Sequence, residues 1–206
     1  MSTIPESFLF PQELIWLNLG HNNITSFPVS FTFPINLKRL YLDNNQLKIL
    51  PDSIVELKHL EKLWLINNKL NSLPKNFYQL KNLKELYLSG NQLKSFPNDF
   101  EFPNKLKYLN LGRNELKILP ECISKLKNLE TLGLMFNNIS EIPMNFKFPE
   151  QLTALDLSNN KLKYLPRSIK LLSNLSFLNL ENNSTLGSKA KLLNSQGLVQ
   201  EFINNL

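Results

Sequence analysis

Leucines stand at Leu14, Leu37, Leu60, Leu83, Leu106, Leu129, Leu152 and Leu175, eight positions separated by an unvarying 23 residues. A period of that length, without one insertion, restricts the chain to folds in which small units stack side by side, because no unit of this size can bury its own apolar face. Each unit reads L-x-x-L-x-L-x-x-N-x-L, as in Leu37-Lys38-Arg39-Leu40-Tyr41-Leu42-Asp43-Asn44-Asn45-Gln46-Leu47. An apolar residue and a proline follow, as Leu50-Pro51, and the proline recurs at Pro28, Pro51, Pro74, Pro97, Pro120, Pro143 and Pro166.

Within a unit, Leu40-Tyr41-Leu42 alternates apolar and variable residues, the pattern of a short strand with one face buried. Stacked units place these strands in parallel. A complete asparagine column, Asn22, Asn45, Asn68, Asn91, Asn114, Asn137, Asn160 and Asn183, falls just after the strand, where the chain turns away. Its amides offer a donor and an acceptor to backbone groups that stacking would otherwise leave unpaired. The return half of the unit comes in two versions. Ile54-Val55-Glu56-Leu57 and Ile123-Ser124-Lys125-Leu126 keep apolar residues three apart, as a short helical turn does. Phe8-Leu9-Phe10-Pro11, Phe31-Thr32-Phe33-Pro34, Phe100-Glu101-Phe102-Pro103 and Phe146-Lys147-Phe148-Pro149 end in a proline that favours extended backbone before it. The outer side is therefore expected to alternate helical and extended stretches.

These columns resemble the leucine-rich-repeat family, and the 23-residue unit with its Leu-Pro step is similar to the intracellular Ras-group branch and to related bacterial proteins. The resemblance implies an α/β fold: a right-handed solenoid in a horseshoe arc, with a concave parallel sheet of about eight strands and a convex side of short helical or extended segments. It also implies a scaffolding or regulatory role in protein–protein interaction. Bacterial effector ubiquitin ligases carry leucine-rich repeats too, but theirs are shorter and precede a catalytic domain with an active cysteine, and the sequence shows neither.

The chain is expected to be one domain over 1–206, with a partial repeat at 1–13, the eight repeat starts within 14–185 and a capping segment at 186–206. At its end Asn183 keeps the asparagine column while Thr185 stands where leucine is expected and Lys189 where proline is expected. The tail from Ser195 onward sets Leu198, Val199, Phe202 and Leu206 on one helical face able to cover the last strand. It resembles the glycine-led terminal helix that follows Ras-group repeats. No linker or appended catalytic module is expected.

Composition narrows the function. Hydrophobic residues make up 42% and charged residues 19%, and no apolar run reaches the roughly 20 residues of a membrane helix. A lone Cys122 rules out an intramolecular disulfide, and Met1-Ser2-Thr3-Ile4-Pro5-Glu6 lacks the basic start and apolar core of a secretory signal. A reducing, cytoplasmic setting is the expectation, with delivery into a host cell by a specialised secretion system as the alternative. The net charge of +6 rests on 20 lysines and only three arginines, a balance that favours solubility over nucleic-acid recognition.

Reactive groups do not converge in the sequence. His21 and His59 occupy different columns and lack metal-site spacing. Cys122 sits in a column otherwise filled by Ser30, Ser53, Asn76, Asp99, Asn145 and Ser168, which reads as an ordinary polar loop position. The six glycines form no phosphate loop. No catalytic residue, metal or cofactor is expected.

Binding is therefore sought on the strand face. The residues between the second and third leucines run Asn18, Tyr41, Trp64, Tyr87, Asn110, Gly133, Asp156 and Asn179, so three consecutive aromatics should lie adjacent and exposed. Trp16, Ile66, Tyr108, Met135, Phe136 and Phe177 extend the patch from neighbouring columns. Arg39, Lys38, Lys62, Lys84 and Lys107 border it, interrupted by Glu61 and Glu85, which suits a protein or peptide ligand of mixed or mildly acidic character. The bland alternative is a cross-strand ladder that only stabilises the sheet. A lysine edge, Lys48, Lys94, Lys117 and Lys163, suggests weak binding to nucleic acid or an anionic surface, although no aromatic or arginine interleaves it. The chain is expected to be a monomer, with self-association through the aromatic patch or the N-terminal strand as an alternative.

Overall fold

Every repeat places the second leucine of its unit at the centre of a three-residue strand. The computed structural model describes residues 4–5, 9–189, 191–193 and 195–206. Its parallel strands are β1 (Trp16–Asn18), β2 (Arg39–Tyr41), β3 (Lys62–Trp64), β4 (Glu85–Tyr87), β5 (Tyr108–Asn110), β6 (Thr131–Gly133), β7 (Ala154–Asp156) and β8 (Phe177–Asn179). They pair strictly in sequence order, Leu17 with Leu40, Leu40 with Leu63 and so on to Leu155 with Leu178. The register is the 23-residue period itself. The middle leucine of each strand points inward and is buried, while the residues on either side of it face out.

The leucine columns meet in one core cluster that runs from Ile4 to Ile203. On the outer side, 3-10 helices form at Asp52–Glu56, Phe77–Gln79, Glu121–Lys125 and Arg167–Leu171. The Phe-x-Phe-Pro segments at 31–34, 100–103 and 146–149 contain no helix, and their two phenylalanines are buried instead. Phe8 of the first such segment lies outside the described residues, as do residues 1–3. Helical and extended return segments thus interchange along the convex side. Strands stack at about 4.8 Å, closer than helical segments can, so the sheet takes the inside of the arc.

The asparagine column is a buried ladder. Asn91 donates from Nδ2 to the carbonyls of Leu65 and Leu88, both at 2.9 Å, and accepts from the Leu70 amide at 3.0 Å. Asn45, Asn68, Asn114, Asn137, Asn160 and Asn183 repeat the pattern, each joining two neighbouring repeats.

The C-terminal end departs from expectation in two respects. A short strand β9 (Leu192–Leu193) pairs antiparallel with β8, so the last edge is covered by backbone as well as by the helix. The helix α1 (Gln196–Asn204), N-capped by the Ser195 hydroxyl, packs on β8 and the 3-10 turn Arg167–Leu171. It buries Val199, Phe202 and Ile203 and leaves Leu198 exposed. Residues 199, 202 and 203 share an i, i+3, i+4 stripe, and position 198 lies one helical step off it. Thr185, in place of leucine, turns its hydroxyl to the Leu162 carbonyl.

Candidate functional site: the concave sheet

The alternation that buries Leu40, Leu63 and Leu86 sends Tyr41, Trp64 and Tyr87 to the concave face at facing positions of adjacent strands. Strand spacing matches the thickness of stacked rings, and the side chains settle face to face. Tyr41 and Trp64 have centroids 4.1 Å apart with planes inclined 9°, and Trp64 and Tyr87 are 5.0 Å apart at 6°. Trp16 meets the far side of Tyr41 edge-on at 5.9 Å, and Tyr108 closes the other end against Tyr87 at 4.6 Å. Five aromatics from five repeats form one continuous row.

Stacking changes how much of each ring is available. Trp16 keeps 59% of its surface, whereas the exposure expected of Tyr41, Trp64 and Tyr87 is reduced. Tyr41, Trp64, Tyr87 and Tyr108 are half-buried because each covers a face of its neighbour. They present edges and polar tips to solvent. The Tyr87 hydroxyl donates to Glu85 Oε2 at 2.8 Å, and Glu85 pairs with Lys62 at 2.7 Å. Burial, and then the bond to Glu85, raise the Tyr87 phenol well above its ordinary range.

Beside the row, Lys84 pairs with Glu61 at 2.9 Å and Lys107 with Glu130 at 2.7 Å. The hydrogen bond from Lys84 holds the Glu61 carboxyl below its usual value. Arg39 and Lys38 are exposed at the same margin, and Ile66 is half-buried beyond the row. Met135 and Phe136 lie two repeats past Tyr87, apart from the stack, with Phe136 45% exposed. Phe177 is half-buried at the C-terminal end.

One column of this face is not evident from the leucine pattern. The residue before each ladder asparagine has left-handed backbone: His21, Asn44, Asn67, Gly90, Arg113, Phe136, Asn159 and Asn182 all have φ between 51° and 72°. Asparagine and glycine accept that conformation readily. The Asn-Asn pairs at 44–45, 67–68, 159–160 and 182–183 and the lone Gly90 are its signature in sequence. Side-chain amides link the column where asparagine occupies it, Asn67 to Asn44 at 2.9 Å and Asn182 to Asn159 at 3.1 Å. Arg113 and Phe136 interrupt it, and the Arg113 guanidinium lies 4.4 Å from the Phe136 ring centroid.

The reactive groups are dispersed. His21 approaches Asp43 at 3.4 Å, while His59 is exposed on the convex side. Among the described residues, no group of three His, Cys, Asp or Glu side chains is placed to hold a metal ion. Cys122 corrects the sequence reading: it is a buried residue within the 3-10 turn Glu121–Lys125 rather than a polar loop position. In the two other turns that follow a Phe-x-Phe-Pro repeat, Ser53 and Ser168 reach back to the Phe31 and Phe146 carbonyls, and Cys122 occupies the equivalent inward site. Burial pushes its thiol up to about 12, which disfavours the nucleophilic thiolate. On the lysine edge, Lys48, Lys94, Lys117 and Lys163 are exposed, and Lys94 comes within 3.8 Å of Glu115.

A family model described as leucine rich repeat matches residues 35–93, 96–139 and 127–184. A solved leucine-rich-repeat protein of Leptospira interrogans is 40% identical with a TM-score of 0.78, over 83% of this chain and 44% of that one. YopM, a leucine-rich effector protein from Yersinia pestis, is 31% identical with a TM-score of 0.73, over 88% of this chain and 46% of that one. The chain therefore spans less than half the length of either. No curated protein matches it. No helix among the described residues is long and apolar enough to cross a membrane. Repeats of this kind typically serve as non-enzymatic protein-interaction modules. With its repeat matches, its sheet of eight parallel strands and its asparagine ladder, the chain belongs to the leucine-rich-repeat family.

Proposed function

We propose that this chain is a non-catalytic binding module, acting as one domain, that takes a protein or peptide on its concave sheet. Trp16, Arg39, Tyr41, Trp64, Ile66, Tyr87, Tyr108, Met135 and Phe136 are the contact residues of this reading. The observation that carries it is the stacked row from Trp16 to Tyr108, which holds five large amphipathic side chains rigid at small further entropic cost. Sheet stability alone would not require a row open to solvent at its edges and bordered by charge. Affinity capture compares the wild type with a Tyr41→Ala, Trp64→Ala, Tyr87→Ala variant of matched fold. The reading expects partners held by the wild type alone; identical partner sets count against it and leave the row as a stabilising ladder.

A second reading, delivery into a host cell as an effector that uses the same face, draws on the similarity to YopM. A reporter fusion that enters host cells through a specialised secretion system supports it, and failure to enter through several such systems removes it. Without delivery, the module works in the cytoplasm.

A further inference from the structure

Resting on the concave-face reading, we infer that Arg113, Phe136 and Met135 form a separate subsite for an acidic–apolar segment of the protein partner: a carboxylate on the guanidinium, with an adjoining aromatic or aliphatic side chain on the ring and thioether.

Arg113 and Phe136 occupy consecutive members of the left-handed column, with φ of 51° and 53°. Five of the eight positions in that column hold asparagine or glycine, and asparagines elsewhere tie adjacent repeats together through their amides. The two large side chains forgo that tie and occupy a conformation that bulky residues resist. Their departure coincides with a surface suited to a ligand. Phe136 is exposed, and Arg113 lies against its ring. Met135 folds over Gly112, where an added Cβ would come within 2.5 Å of its sulfur, and an added Cβ at Gly133 would crowd Asn110. The absence of a side chain at Gly112 thus lets the Met135 thioether lie flat on the sheet beside the Arg113–Phe136 pair.

The charge specifies the occupant. Lys62, Lys84 and Lys107, at or just before the strands of repeats three to five, each have a carboxylate within 2.9 Å. The Arg113 side chain is exposed and has no ion pair or hydrogen bond among the described residues, so its guanidinium keeps an uncompensated charge while it rests on the Phe136 ring. A guanidinium held in this way is prepared for a two-point bond to a carboxylate. The adjoining ring and thioether favour an apolar neighbour in the ligand.

The test is selection of a random linear-peptide display library on the full chain, followed by Kd measurement of the consensus peptide on purified variants. The expected consensus places Asp or Glu within two positions of an aromatic or large aliphatic residue. Arg113→Asn weakens its binding by about 10- to 100-fold. Replacing the peptide's acidic residue by its amide costs a similar factor on the wild type and little on Arg113→Asn. The double variant Arg113→Asn/Phe136→Asn should unfold at or above the wild-type Tm, since asparagine suits both positions.

A selection that yields no acidic consensus, or equal affinity for Arg113→Asn, overturns the subsite, as does a Tm loss beyond about 5 °C in the double variant, which would make the pair structural. If the peptide needs Tyr41, Trp64 and Tyr87 but ignores Arg113→Asn, this inference fails and the concave-face reading stands. If it needs Arg113 and ignores the aromatic triple variant, the subsite stands and the stacked row loses its role.

Discussion

At the scale of single residues, the fold rests on side chains that serve backbone groups of other repeats. Asn91 satisfies two carbonyls and one amide, one of the carbonyls and the amide belonging to the preceding repeat. Asn91→Ala leaves all three without that partner in a dry site and is expected to cost about 3 kcal/mol, read as a shift in chemical-denaturation midpoint at constant slope. A loss below about 0.5 kcal/mol would mean that water or relaxed backbone replaces the amide. This role was legible in the sequence because the column is complete and its residue type carries both a donor and an acceptor. The left-handed column before it was harder to read. Only half of its positions hold asparagine, and the conformation belongs to backbone, which a leucine pattern does not report. Cys122 was misread for a related reason. Its column is polar in every other repeat, and its burial follows from the preceding repeat's extended return segment.

Elements are short here, and each borrows its stability from neighbours. A three-residue strand cannot persist alone, and the 3-10 turns carry no side-chain cap. The aromatic row is the concave counterpart of the leucine core, with one ring per strand and pairwise stacking of about 0.5–1.5 kcal/mol beyond area burial. Its existence could be read from the spacing of Tyr41, Trp64 and Tyr87; its half-buried, edge-on state could not, because that depends on ring rotamers. The terminal helix shows the same division. Amphipathicity located it, but a face drawn through Leu198 gave the wrong stripe, and β9 was not anticipated because two residues carry no periodicity. Phe202→Ala is therefore expected to lower stability by about 3 kcal/mol, and Leu198→Ala by less than about 0.5 kcal/mol, in thermal unfolding followed by circular dichroism. Equal losses would return Leu198 to the buried stripe.

Over the whole molecule, the 23-residue period fixes strand order, register and curvature, and only the variable columns remain free to differ. They differ most on the concave side, where aromatics occupy repeats one to five and the Arg113–Phe136 pair spans repeats five and six. The sequence therefore located the surface more readily than it could identify a partner: periodicity determines which residues face outward, while a partner is selected by their combined shape. Both solved relatives extend well beyond the length matched here. The most direct measurement is hydroxyl-radical footprinting of the captured complex, read residue by residue by mass spectrometry. Trp16, Tyr41, Trp64, Tyr87, Tyr108, Met135 and Phe136 are all readily oxidised side chains on the concave face, while Tyr78 and Met144 report from elsewhere. Binding on the concave face protects the first group and leaves oxidation of the second unchanged; protection of Tyr78 and Met144 with the concave aromatics unaffected would place the partner elsewhere and rule that face out.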